Sequence, residues 1–90
     1  MAVRGEKEYS QSVDNAIRLL RCFIDKEERG ISELSRELDM SKASVSRIVA
    51  ALERGHFLMQ NPDTGRYRLG IGLMFFGELV HERNELARAL

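Results

Sequence analysis

The sequence predicts a mainly α domain with one small β-hairpin, in the order α-α-α-β-β-α. Three observations carry that prediction. Apolar residues recur at helical spacing through three successive segments, each with a serine near its start. The run Asn61-Pro62-Asp63-Thr64-Gly65 is turn chemistry between two short β-like segments. A fourth apolar helical segment opens at about Ile71. Two short helices, a tight turn and a basic hairpin between Ile31 and Leu69 make a winged helix-turn-helix. The dominant use of that layout is to place one helix in the major groove of duplex DNA.

Ninety residues suit a single domain, and 43% hydrophobic content gives it a small core that gains from a second subunit. The net charge is zero, so no global basic signature points to nucleic acid. The local balance is more informative. Residues 1–40 carry 7 basic and 9 acidic side chains, whereas residues 69–90 carry 2 and 3. Between them, Lys42, Arg47, Arg54, Arg66 and Arg68 face only Glu53 and Asp63, an excess of +3 on the third helix and hairpin. The single cysteine, Cys22, cannot form an internal disulfide. The N-terminus MAVRGEKEYS lacks the apolar run of a signal peptide or anchor, and Leu73–Phe76 is far too short to span a bilayer. A cytoplasmic protein with no membrane partner is the expectation.

Residues 1–9 read as a flexible polar arm, 10–70 as the winged helix-turn-helix, and 71–90 as a linker or dimerisation helix. Ser10 or Ser12 caps a first helix running to about Lys26, with Val13, Ile17, Leu20 and Ile24 as its apolar stripe and Gly30 allowing the reversal after it. Ser32 is the expected cap of a second helix, with Glu33 favoured by the helix dipole and Leu34 and Leu38 buried. Met40 fills the turn and Ser41 caps the third helix, whose inward stripe is Val45, Ile48, Val49 and Leu52. That helix stops near Gly55. The hairpin runs Phe57–Gln60 and Arg66–Leu69, with Tyr67 and Leu69 facing the core and Arg66 and Arg68 facing out. In the fourth helix, four consecutive apolar residues, Leu73–Phe76, spread over roughly 300° of the axis. Cover on more than one side is needed, and a second subunit is the natural source.

The candidate DNA-binding residues lie on the first turns of the third helix: Ser41, Lys42, Ala43, Ser44, Ser46 and Arg47. Arg47 can donate two hydrogen bonds to guanine or clamp a phosphate, and the serines can bond base edges or phosphate. The amides near Ser41 and Lys42 offer a phosphate site. On the hairpin, Arg66, with Asn61 or Thr64, would meet phosphates or the adjacent minor groove. Against these stand plainer readings: a solvated helix face and a surface hairpin with solvated arginines. Cys22 reads as a buried structural thiol and His56 as a helix-end residue. His81 and Glu85 lack further ligands for a metal. No catalytic constellation, phosphate loop or cofactor motif is present, so neither an enzyme nor a cofactor is expected. The rival function is a winged-helix docking or dimerisation module without DNA readout. Such a module would place large apolar anchors on the outer face of the third helix, where this chain has serine, alanine and arginine.

The runs SKASVSRIVAALERGHFL and NPDTGRYRLGIGLMFFGEL resemble the DNA-binding half of the IclR family of bacterial transcription regulators, over about residues 10 to 80. The most specific part is TGRYRLG with Leu73 and Gly77 behind it. The resemblance implies sequence-specific binding of a double-stranded DNA operator by a homodimer or higher homo-oligomer, most often as a repressor. It places the recognition contacts on Lys42, Ser44, Ser46 and Arg47 and the wing contact on Arg66. It also implies a small-molecule effector acting through a C-terminal domain absent from these 90 residues, so that the chain reads as an N-terminal piece. Many relatives carry proline at Ser41, serine or threonine at Ala43, histidine or tyrosine at Ser46, and glycine at His56. Their base preference therefore does not transfer.

Overall fold

The computed structural model describes residues 8–89 of the chain. Its elements are α1 (Gln11–Arg21), α2 (Ile31–Leu38), α3 (Lys42–Arg54), β1 (Leu58–Gln60), β2 (Tyr67–Leu69) and α4 (Ile71–Ala89). The expected fold class and element order are thus observed. Most of the expected N-terminal arm, residues 1–7, lies outside the described residues. Among the described residues no helix is long and apolar enough to cross a membrane.

The core forms where the three short helices and β1 meet. Leu19, Leu34, Leu38, Val45, Val49 and Leu58 are buried there, with Cys22 and Phe23 at the exit of α1. Each fully buried aliphatic side chain contributes about 1.5–3 kcal/mol, so this small set dominates the stability of the domain. Ile48 and Leu52 pack against its edge, as the helical spacing of α3 predicts.

Helix α1 departs from expectation in length and in face. Ser10 caps it, accepting from the Val13 amide at 3.3 Å, but it ends at Arg21 rather than near Lys26. The amides of Cys22, Phe23 and Ile24 donate to carbonyls three residues back, which tightens the chain out of the α-helix. The Arg29 side chain then draws the Cys22 carbonyl away, with Nε donating at 3.0 Å. The inward residues are Leu19, Cys22 and Phe23; of the expected stripe only Leu20 packs against the core, while Val13, Ile17 and Ile24 are 49–77% exposed. Both faces of α1 are apolar, and periodicity alone could not choose between them.

Arg29 is buried, yet every direction of its guanidinium is used. It pairs with Glu37 at 2.6 Å and Asp25 at 3.3 Å, and its backbone exchanges two hydrogen bonds with Tyr67. This residue therefore ties the α1–α2 loop to α2 and to β2. A buried arginine so thoroughly paired avoids the cost of an uncompensated charge.

The expected cap of α2 at Ser32 is corrected to Gly30. Glycine has no capping side chain, and Glu33 compensates by accepting the Gly30 amide at 2.9 Å. Helix α2 closes with Asp39 in the left-handed region (φ 55°), where the Asp39 and Met40 amides return to the Arg36 and Ser35 carbonyls. The same device closes α3. There His56 is left-handed (φ 65°), and the His56 and Phe57 amides return to Glu53 and Leu52. The end of α3 is thus at Gly55, as expected, and the left-handed residue is the one after it.

The two strands pair antiparallel with Leu58 opposite Leu69, Met59 opposite Arg68 and Gln60 opposite Tyr67. Gly65 takes the left-handed position in the turn (φ 76°), as the sequence predicts. Leu58 is buried and Tyr67 half-buried, but Leu69 is 44% exposed, against expectation. Three-residue strands give the hairpin too little width to cover both ends of its inner face.

Candidate nucleic-acid interface

Helix α3 begins at a polar cap whose side chains are linked. The Ser41 hydroxyl accepts the Ser44 amide at 3.1 Å, satisfying one of the free donors of the first turn. Its oxygen lies 3.0 Å from the Ser44 hydroxyl, and Arg47 Nη2 lies 3.4 Å from that same hydroxyl. Ser41, Ser44 and Arg47 therefore form one hydrogen-bonded ridge at the entrance of the helix. Lys42, Ala43 and Ser46 flank it, all exposed, and Ala50 and Arg54 continue the exposed side. The inward residues Val45 and Val49 fix the rotation of the helix, so the presented face follows from core packing.

This face contains donors, acceptors and three flexible cations, Lys42, Arg47 and Arg54, with small side chains between them. Small residues let a helix backbone approach a groove wall closely, and arginine with serine suits base edges and phosphate. The structure thus brings six of the seven expected site residues together at the cap and within about the first two turns of α3. Where that face meets α1 and the exit of α3, it gives way to an apolar groove of about 490 Å³ lined by Ala16, Met40, Ile48, Ala51, Leu52 and Phe57.

Arg66, the seventh residue, stands apart on the wing and is not turned freely outward. Its Nη2 lies 2.5 Å from Glu33 Oε1 and donates to the Glu28 carbonyl at 3.1 Å. The wing loop is held in several further ways. The Asn61 side chain donates to Glu28 Oε2 at 3.1 Å while its oxygen accepts the Asp63 amide at 2.8 Å. Thr64 accepts the Arg66 amide at 3.1 Å, and Gln60 donates to the Gly65 carbonyl at 3.0 Å. Asn61 is therefore occupied in building the turn. Thr64 and Arg68 remain exposed, and Arg68 has no ion pair among the described residues.

Sequence reasoning gave Glu33 only a dipole role and did not connect it with the wing. A signal was available, since Gly-Ile-Ser-Glu over residues 30–33 has the spacing of a reciprocal helix cap. The amide of Gly30, first, and the charge of Arg66 hold the Glu33 carboxyl below the usual carboxylate range. Cys22 is buried as expected, and burial pushes its thiol up, which disfavours the reactive thiolate.

Residues 12–62 match the IclR helix-turn-helix domain. The chain is 35% identical over 82 residues to the glycerol operon regulatory protein of Streptomyces griseus, covering 89% of this chain and 32% of that protein. It is 34% identical over 79 residues to the HTH-type transcriptional regulator KipR of Bacillus subtilis, covering 88% and 31%. Among solved structures, an IclR transcriptional regulator from Silicibacter sp. superposes with a TM-score of 0.75 at 32% identity, covering 79% of this chain and 28% of that one. An IclR-family regulator from Brucella abortus gives 0.75 at 26% identity, covering 83% and 29%. The chain thus spans about a third of the length of the relatives it matches. With the family match covering more than half of its length and the same winged fold beneath it, the chain belongs to the IclR helix-turn-helix family, a DNA-binding domain of transcription regulators.

Proposed function

We propose that this domain reads a specific duplex DNA operator as a homodimer or higher homo-oligomer, and that it serves in repression of transcription. Ser41, Lys42, Ala43, Ser44, Ser46 and Arg47 would enter the major groove, and Arg66 would meet a backbone phosphate beside it. The observation that carries the reading is the outer face of α3: a linked Ser41–Ser44–Arg47 ridge flanked by Lys42, Ala43 and Ser46, without a large apolar anchor. A docking module without DNA readout would need such anchors there. Seven of the exposed large apolar side chains lie instead on α1 and α4 (Val13, Ile17, Ile71, Met74, Phe75, Phe76 and Val80), where they favour self-association over replacement of the DNA.

The names of the relatives support a regulatory rather than a catalytic role, and a cytoplasmic location follows from that role. Any small-molecule effector would act through a C-terminal domain outside these 90 residues. The first test is a fluorescence-anisotropy titration against fragments selected by the protein from its source genome. A dimer neutralising about 6–8 phosphates should lose roughly three orders of magnitude in affinity between 50 and 200 mM salt. Affinity independent of salt would remove the DNA reading.

A further inference from the structure

Of the five cations between residues 41 and 68, only Arg66 is ion-paired among the described residues. It is also the cation next to the wing's turn: it follows Gly65, and its carbonyl accepts the Asn61 amide at 2.7 Å to close the loop. Glu33 Oε1 lies 2.5 Å from its guanidinium, and Lys26 lies 3.6 Å from the other carboxylate oxygen. The Arg66 side chain is nonetheless 39% exposed, so an anion can reach it from solvent without the fold opening.

A carboxylate and a phosphate present the same pair of anionic oxygens to a guanidinium. We propose that Glu33 is an internal stand-in for a DNA phosphate: it holds Arg66 in the free domain and competes with the backbone for it, so that it sets the strength of DNA binding. This rests on the proposal that the domain binds DNA with Arg66 near phosphate. In the free protein the ion pair keeps the wing against the first turn of α2. On the DNA, Arg66 exchanges Glu33 for phosphate, and the broken pair offsets most of what the new contact contributes. Glu33 is then a positioning residue that never touches the DNA.

Glu33→Gln tests this, because its amide oxygen can still accept the Gly30 amide while the charge is lost. In the full 90-residue chain, E33Q should bind a mixed-sequence duplex about three- to fivefold more tightly at low salt, the scale of one partly exposed ion pair. The slope of log affinity against log salt should change by less than one per domain, since Arg66 meets a phosphate in both proteins and only the broken ion pair differs. In an Arg66→Ala background the same change should have no more effect than Glu27→Gln, an exposed charge-matched control. Glu33→Asp, which keeps the charge but shortens the reach, should give a smaller gain and covers the case in which E33Q does not fold. Binding weakened equally by E33Q and R66A would make the pair a scaffold for the wing and overturn the proposal. A gain that persists without Arg66, or equals that of E27Q, would overturn it as a general charge effect. No DNA binding by wild type would overturn both readings, whereas wild-type binding with no gain in either Glu33 variant overturns this one alone.

Discussion

Ser44 occupies the middle of the recognition ridge, half-buried between the Ser41 hydroxyl and the Arg47 guanidinium. Arg47 is thereby steadied at one end while the rest of its donors stay open to solvent. If it reads a guanine, Arg47→Ala should cost roughly 1–3 kcal/mol per half-site and relax discrimination at one base position. Competition binding against single-base operator variants checks this, and a uniform loss across all variants would make Arg47 a phosphate contact. His56 poses a different residue-scale question. It is an L-residue held at φ 65° by the closing hydrogen bonds of α3, in the region that glycine enters without steric cost. His56→Gly should therefore stabilise the fold by about 0.5–1 kcal/mol, after allowing for the greater freedom of glycine in the unfolded chain. A lowered midpoint in urea would show that the imidazole makes a contribution larger than the backbone strain.

At the scale of elements, the turn and the caps of α1 and α3 were legible because they are written in single residues, whereas the α2 cap was placed at Ser32 and lies at Gly30. Ser10, Ser41, Gly55 and Gly65 stand where the sequence predicts, since each solves a local backbone problem that few other residues solve. The rotation of α1 was not legible. Two neighbouring faces of that helix are apolar, and only the position of α2 and α3 decides that Leu19 goes inward and Ile17 outward. The attachment of the wing was equally hidden, because Glu33 and Arg66 are 33 positions apart and nothing local joins them. Behind the wing, the chain passes very close to the end of α3. Gly70 donates to the Phe57 carbonyl and Gly72 to the His56 carbonyl, both at 2.8 Å. A β-carbon on Gly72 would sit 2.7 Å from the His56 oxygen, and one on Gly70 would also press on backbone that cannot rotate away. Gly70→Ala should thus destabilise the domain by about 1–3 kcal/mol, the usual cost of overpacking. It should also loosen β2 and the start of α4 together, which amide exchange would report as matched loss of protection. Loss confined to one of them would show that this contact does not couple wing and helix.

At the scale of the whole molecule, the unmet demand is apolar surface. On α4, Ile71, Met74, Phe75, Phe76 and Val80 are each more than half exposed, and on α1 so is Val13, with Ile17 at 49%. A monomer rarely leaves this much apolar surface open. Phe76 is partly accounted for by its own domain, since its ring meets Phe57 edge-to-face with centroids 5.9 Å apart. Among the described residues Phe75 contacts only Phe76 in this way, and Met74 lies beside it, 60% exposed. These two are therefore the residues of the Leu73–Phe76 run best placed to meet a second copy, with the Val13–Ile17 edge of α1 as the other contributor. Two recognition helices must stand about one turn of DNA apart to read a palindromic site, so self-association and operator binding should be linked. Replacing Met74 and Phe75 together with glutamate should shift the species seen by analytical ultracentrifugation towards monomer. It should also weaken operator binding while circular dichroism shows the helices retained, although neither residue belongs to the recognition face. Val13→Glu should act in the same direction from the other element. If the unmodified chain is already monomeric at high micromolar concentration and still binds a palindrome cooperatively, the DNA itself brings the two copies together. The apolar face of α4 would then need another cover, and the double glutamate variant would bind the operator as well as wild type.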